Sequence, residues 1–135
     1  MQHSQSILVP DPKKQLSTEQ ISKLEMSDFE AKKGFTDEDY VLLSLDTLQT
    51  GALIERAQRD SAGAGTTFLG TNRDGFNGKQ VTSLAYEAYE DMAMQGMRDL
   101  VVKVRDQWDV CSVVIAHKLG DCPVGQTSGV IAISS

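Results

Sequence analysis

Basic residues are scarce in this chain and nowhere gathered. Residues 1–60 carry 7 Lys/Arg against 11 Asp/Glu and residues 61–135 carry 6 against 8, for a net charge of −6. Without a basic stripe, neither a nucleic-acid backbone nor an anionic membrane surface is expected as a partner. A small anion stays open, because one or two placed cations hold it. Cysteine and histidine are also few: Cys111, Cys122, His3 and His117 are the whole set. Their spacing matches no metal-ligand pattern, so no metal or other cofactor is expected. Cys111 stands in an apolar run and reads as a small buried hydrophobe. Apolar runs last only a few residues, too short to span a bilayer. MQHSQSILVPDPKK at the N-terminus has neither the apolar stretch of a signal peptide nor the Arg-rich pattern of a transit peptide, so the cytosol is the default location.

What is present divides at about residue 37. Residues 1–37 are polar and hold two of the three prolines, which suits a loosely attached extension. One short helix fits there, with Ser17 as cap, Gln20 completing a capping box, and Ile21 and Leu24 on one face. From residue 38 to 135 the pattern is that of a packed domain. Tyr40 to Leu45 is a short apolar run bounded by acidic residues, the mark of a strand. Asp46 then offers a helix N-cap, with Gln49 in the box position and Leu48, Ala52, Leu53 and Ala57 as the apolar stripe. Ala64 to Gly70 reads as a strand, Gly70 to Gly78 as a loop, and Lys79 to Tyr89 as the returning strand of a hairpin. A second helix begins at Asp91, with Ala93, Met97, Leu100, Val101, Val104 and Trp108 recurring at helical spacing; its Met and Trp residues read as core. Cys111 to His117 and Ser128 to Ser134 complete the chain as two strands around a Gly-Pro-Gly turn. Strands and helices in this order imply an α+β sheet covered by two helices.

Few residues carry a chemical signal. Arg73 follows an apolar strand in a loop flanked by Gly70 and Gly75, where a guanidinium can take an anion bidentately. Spacing alone favours a surface arginine paired with Asp74. A nucleotide-binding P-loop fails on its own pattern, because Gly70-x4-Gly75 is followed by Phe76 and not by Lys-Ser/Thr. Phe68 by its strand position is a core residue. His117 and Lys118 end a strand just before Gly120, where side chains often emerge, although on general grounds the pair reads as a structural histidine beside a capped turn. Glu87, Glu90 and Asp91 suit a strand end and an acidic helix N-terminus better than a catalytic carboxylate pair.

TTFLGTNRD (66–74), LAYEAYEDMA (84–93) and AHKLGDCPVG (116–125) occur in that order, and together they resemble the large, catalytic subunit of molybdopterin synthase, the sulfur-transfer enzyme of molybdenum cofactor synthesis. The resemblance covers about Glu38 to Ser135. It implies the α/β-hammerhead fold, and a dimer of this subunit with a ubiquitin-like small subunit at each end. That partner's C-terminal thiocarboxylate enters a pocket of the large subunit, and sulfur passes twice to cyclic pyranopterin monophosphate to form the dithiolene of molybdopterin. The family's Gly-x-x-Arg turn lines this pocket and its arginine matches Arg73; Phe68 matches a residue at the pocket edge. His117 and Lys118 match a His-Arg pair, with Lys118 keeping the charge but losing the planar fork.

A further His-Arg pair and two catalytic lysines of the family lie beyond the position of Ser135. The resemblance therefore implies a C-terminally incomplete domain that retains the entrance of the site, no assured catalytic residue, and no dithiolene formation by this chain alone. An uncovered last strand would leave an apolar face and a strand edge open to self-association or to a partner. The alternative to a synthase subunit is a non-catalytic interaction protein that modulates a full-length copy.

Overall fold

A computed structural model describes residues 34–135; the short helix expected near Ser17 lies outside the described residues. Its framework is a four-stranded sheet in the order β1-β6-β8-β2. The alternating run Tyr40–Ser44 forms β1, which pairs in parallel with β6 (Ser112–Lys118), and β6 pairs antiparallel with β8 (Thr127–Ser134). β2 (Gly65–Thr71) pairs antiparallel with the other edge of β8. The last strand is thus interior, and the open edges belong to β1 and β2.

The expected hairpin between the Ala64–Gly70 strand and Lys79–Tyr89 does not form. Asn77 and Gly78 both adopt positive φ (50° and 75°), the geometry of a tight two-residue turn, and they close a ladder of their own between β3 (Gly75–Phe76) and β4 (Lys79–Gln80). The chain then departs as β5 (Ser83–Tyr86), which pairs with β7 (Gly120–Pro123) inside the segment read as a turn. β2 takes the distant β8 instead, whose strict two-residue alternation lets it pack on both faces of the sheet.

Each face carries one helix. On one face α1 (Thr50–Ala57) buries Leu53 and Ala57, with Leu48 ahead of it, against Tyr40, Val114, Ala116, Val130 and Ala132. On the other face α2 (Glu90–Gln107) lays Met94, Met97 and Val101 on Val41, Leu43, Val113 and Ile115. At about 1.5–3 kcal/mol per large apolar side chain removed from water, these two clusters supply the main driving force for folding. The helix ends differ from the sequence reading. Asp46 does not cap α1, because its N–H is held by Ser44 Oγ at 3.0 Å in a turn before the helix, and Gln49 takes the cap position without a side-chain bond. Ala52 is exposed. α2 starts at Glu90, with Glu90 and Asp91 in its first turn as the macrodipole favours. Leu100 and Trp108, expected in the core, point outward at 50% and 61% exposure: Leu100 sits about 100° around the helix from Val101, and Trp108 lies past its end in extended backbone. Cys111 is only half-buried, whereas Cys122 is fully buried.

Ordered contacts begin ahead of Glu38. Phe35 packs beside the α2 cluster under the Arg98 guanidinium, 4.8 Å from the ring centroid. Asp39 is buried and its carboxylate gathers donors from three segments. It accepts from Arg105 Nε at 2.6 Å and Nη2 at 2.7 Å, from Val113 N at 3.0 Å, and from Thr36 N at 2.9 Å. Arg105 donates onward to the Val110 and Cys111 carbonyls at 3.2 and 3.0 Å. This cluster fastens the end of α2 to the starts of β1 and β6. No described helix is long and apolar enough to cross a membrane.

Candidate active site

Of the sequence-selected residues, Phe68 and His117 share the sheet face that carries α2, at the end away from the Asp39 cluster, while Arg73 follows the end of β2 and Lys118 lies on the other face. The strand registers set Phe68 and His117 in two rows. Phe68, Ile131 and Ile115 stand side by side on β2, β8 and β6; the next row in the same direction is Gly70, Gly129 and His117. Two adjacent glycines leave the sheet backbone bare between Phe68 on one side and His117 on the other. A Cβ at Gly129 would lie 3.5 Å from His117 Cδ2, and one at Gly70 would lie 3.7 Å from Phe68 Cε1, so both rings lean over this glycine floor. Phe68, read by pattern as core, is 63% exposed: β2 is an edge strand and no helix covers its end of the sheet.

β2 breaks register between Gly70 and Thr71. This irregularity turns the chain so that Asn72 points inward and Arg73 outward. Arg73 is exposed and takes no part in the ion pairs found among the described residues, so the pairing with Asp74 is not made. Asn72 is buried with every polar group engaged. Its Nδ2 donates to the Cys122 carbonyl at 2.7 Å, its Oδ1 accepts from Tyr86 Oη at 2.7 Å, its N–H donates to Gln126 O at 3.3 Å, and its carbonyl accepts from Gly125 N at 2.9 Å. The Tyr86 ring in turn meets the His117 ring edge-on, with centroids 4.9 Å apart at 77°. Arg73 and His117, far apart in sequence, are therefore linked through two side chains that sequence reasoning passed over. Asn72 looked like an ordinary loop residue, and Tyr86 was visible only as one position in an alternating strand.

His117 is half-buried, and its Nδ1 lies 2.7 Å from the Lys118 carbonyl. A carbonyl only accepts, so Nδ1 carries the hydrogen, and Nε2 lies on the side of the ring facing Gly129. Lys118 behaves otherwise. Its side chain is buried, and Nζ donates to the carbonyls of Leu45 at 2.6 Å, Leu119 at 3.0 Å and Asp121 at 2.9 Å. All three ammonium hydrogens are used, and none is left for a ligand. The strand end does not expose this side chain because alternation turns it to the face opposite His117, under the loops after β1 and β6. Lys118 is a clamp between those loops. Lys118→Met, which keeps the stem and removes the donors, is expected to lower stability by about 1–3 kcal/mol, seen as a lower urea midpoint with an unchanged slope.

Among the described residues no three His, Cys, Asp or Glu side chains lie close enough together to hold a metal ion. The surface offers an imidazole, an aromatic wall and a bare backbone floor, and an unpaired arginine follows just past the end of β2. That combination suits an anion presented on a slender, extended group.

Comparison with known proteins gives a concordant result. The family model described as MoaE protein matches residues 43–135. The molybdopterin synthase catalytic subunit of Culex quinquefasciatus is 44% identical over 98 residues, 72% of this chain and 62% of that protein. That of Arabidopsis thaliana is 45% identical over 82 residues, 61% of this chain and 41% of that protein. Among solved structures, molybdopterin synthase from Staphylococcus aureus superposes with a TM-score of 0.66 at 26% identity, over 69% of this chain and 68% of that one. A complex of subunits 1 and 2 of the molybdopterin-converting factor from Helicobacter pylori superposes with a TM-score of 0.58 at 25% identity, over 70% and 64%. The chain spans less than two thirds of the length of the mosquito relative.

Proposed function

This chain belongs to the MoaE family, and from that premise we propose that it acts as the large subunit of a molybdopterin synthase, transferring sulfur from a thiocarboxylated small subunit to cyclic pyranopterin monophosphate. The observation that carries the proposal is the placement of Arg73. The irregularity at the end of β2 leaves an exposed, unpaired arginine three residues after Gly70, which belongs to a glycine floor bounded by Phe68 and His117. In this reading Arg73 holds the phosphate of the pterin or the incoming thiocarboxylate by charge-assisted bonds. Gly70 and Gly129 let an extended C-terminal tail lie against the sheet, in space where a Cβ would stand in contact with the Phe68 or His117 ring. His117 Nε2 accepts a hydrogen bond from the bound group. The partner is the ubiquitin-like small subunit, a reading supported by the two-subunit complex of the Helicobacter relative. A second copy of this chain completes the assembly, and the cytosol is its place of work.

Sulfur transfer through an acyl intermediate also asks for a proton donor such as lysine. Lys118 is committed to three carbonyls, Lys103 is exposed on α2, and Lys79 lies in the separate β3-β4 ladder. None of these described lysines directs its ammonium group to Arg73 or His117. Dithiolene formation is therefore expected not to depend on the ammonium groups of Lys79 or Lys103, whereas binding of the pterin is expected to depend on Arg73. Reconstitution with thiocarboxylated small subunit and cyclic pyranopterin monophosphate, read by complex formation and by dithiolene product, tests both parts. Loss of dithiolene formation in Lys79→Ala or Lys103→Ala would overturn the lysine argument and leave the family function standing. Failure to bind either component would overturn the proposed function itself.

A further inference from the structure

We propose that Asn72 is a positioning residue, which through Tyr86 fixes Arg73 relative to His117. The inference rests on the reading of Arg73 as the anion-binding group and extends it to the side chains that set its reach. Arg73 itself is exposed and makes no contact that would fix its position, so its direction is decided by the backbone that carries it. That backbone has left the β2-β8 ladder at the Gly70/Thr71 irregularity. What holds it there is the preceding residue. Asn72 joins three separate segments: β5 through Tyr86 Oη, β7 through the Cys122 carbonyl, and the turn before β8 through Gly125 and Gln126.

The amide is suited to this position because it needs a donor and an acceptor at once. Aspartate would turn a carboxylate oxygen on the Cys122 carbonyl, and an apolar side chain would leave the Tyr86 hydroxyl and that carbonyl without their partner. Tyr86 has a second contact, the edge of its ring on His117. One hydroxyl-amide hydrogen bond thus connects the residue that precedes Arg73 to the ring that meets His117. A guanidinium held in advance gives up less freedom on binding than one that must be collected from solvent, so the bond contributes to affinity without touching ligand.

Tyr86→Phe removes the hydroxyl and keeps the ring on His117, and it is paired with the harsher Asn72→Ala. Binding of cyclic pyranopterin monophosphate is measured by calorimetry on the full chain for wild type, each variant, Arg73→Ala, and Tyr86→Phe combined with Arg73→Ala. Loss of one hydrogen bond of this kind corresponds to a drop of about five-fold in affinity for Tyr86→Phe. The drop is expected to disappear in the Arg73→Ala background, because nothing remains to be positioned. A merely structural role would leave affinity unchanged in Tyr86→Phe, or would weaken binding equally with and without Arg73; either result overturns the inference alone. If Arg73→Ala binds the pterin as wild type does, the anion-binding reading falls and the inference falls with it.

Discussion

Replacing Asp39 with Ala is expected to destabilise the fold by about 3–5 kcal/mol, a large part of the roughly 5–15 kcal/mol that separates a domain from its unfolded chain. The substitution strands a guanidinium. Asp39 has no exposed side-chain surface and Arg105 keeps only 18%, so water replaces little of the lost carboxylate. The Val113 and Thr36 amides lose their acceptor as well. With part of Arg105 wetted, the lower half of that range is the better expectation. The hydrogen bonds that Arg105 donates to Asp39 raise the Arg105 pKa above the ordinary arginine value, against the opposing effect of burial. A raised folded-state pKa in a basic group means that its contribution is complete below the unfolded value and is lost only at higher pH. Arg105 therefore stays charged through the whole working range, and raising the pH to 9 will not relieve the variant. Urea unfolding of Asp39→Ala at pH 7 and pH 9 checks this, and the double variant Asp39→Leu with Arg105→Met, which removes both charges, should recover part of the loss.

Arg73→Ala is expected to weaken binding of cyclic pyranopterin monophosphate by about 10-fold to 150-fold, the equivalent of about 1.5–3 kcal/mol for charge-assisted hydrogen bonds to one guanidinium. Stability should not change, because Arg73 is exposed and outside the ion pairs of the described residues. Arg73→Lys should recover only part of the affinity, since an ammonium restores the charge without the planar fork. Raising the salt concentration should narrow the difference between wild type and Arg73→Ala, because an exposed charge is screened. A loss of no more than two-fold would place Arg73 among ordinary surface residues.

Local patterns were legible in the sequence and distant partners were not. α2 could be read from its apolar period and β1 from its short apolar run, because both signals lie within one element. The same is true of the Gly-flanked turn that exposes Arg73. The β2 pairing was missed because proximity favours a hairpin, whereas the strand that wins is some 60 residues away on β8. Asp39 and Arg105 form the best-connected ion pair of the described residues, yet 66 positions separate them and no spacing rule joins them. Lys118 misled for a related reason. A lysine at a strand end is usually wet, and only the folded loops show that three carbonyls converge on its nitrogen. Asn72 is the clearest case, since its meaning depends on Tyr86, Cys122 and Gln126 arriving together.

The most direct test of the central claim is where the small subunit's tail comes to rest. A small subunit with a photoreactive group on its C-terminal residue, mixed with this chain and irradiated, can be mapped by mass spectrometry of the cross-linked peptides. Adducts on Phe68, Arg73 or His117, or on the peptides holding Gly70 and Gly129, are the expected result, and free cyclic pyranopterin monophosphate should reduce their yield. Adducts confined to α1 or to the outer edge of β1, with the Phe68–His117 surface unlabelled, would contradict the account.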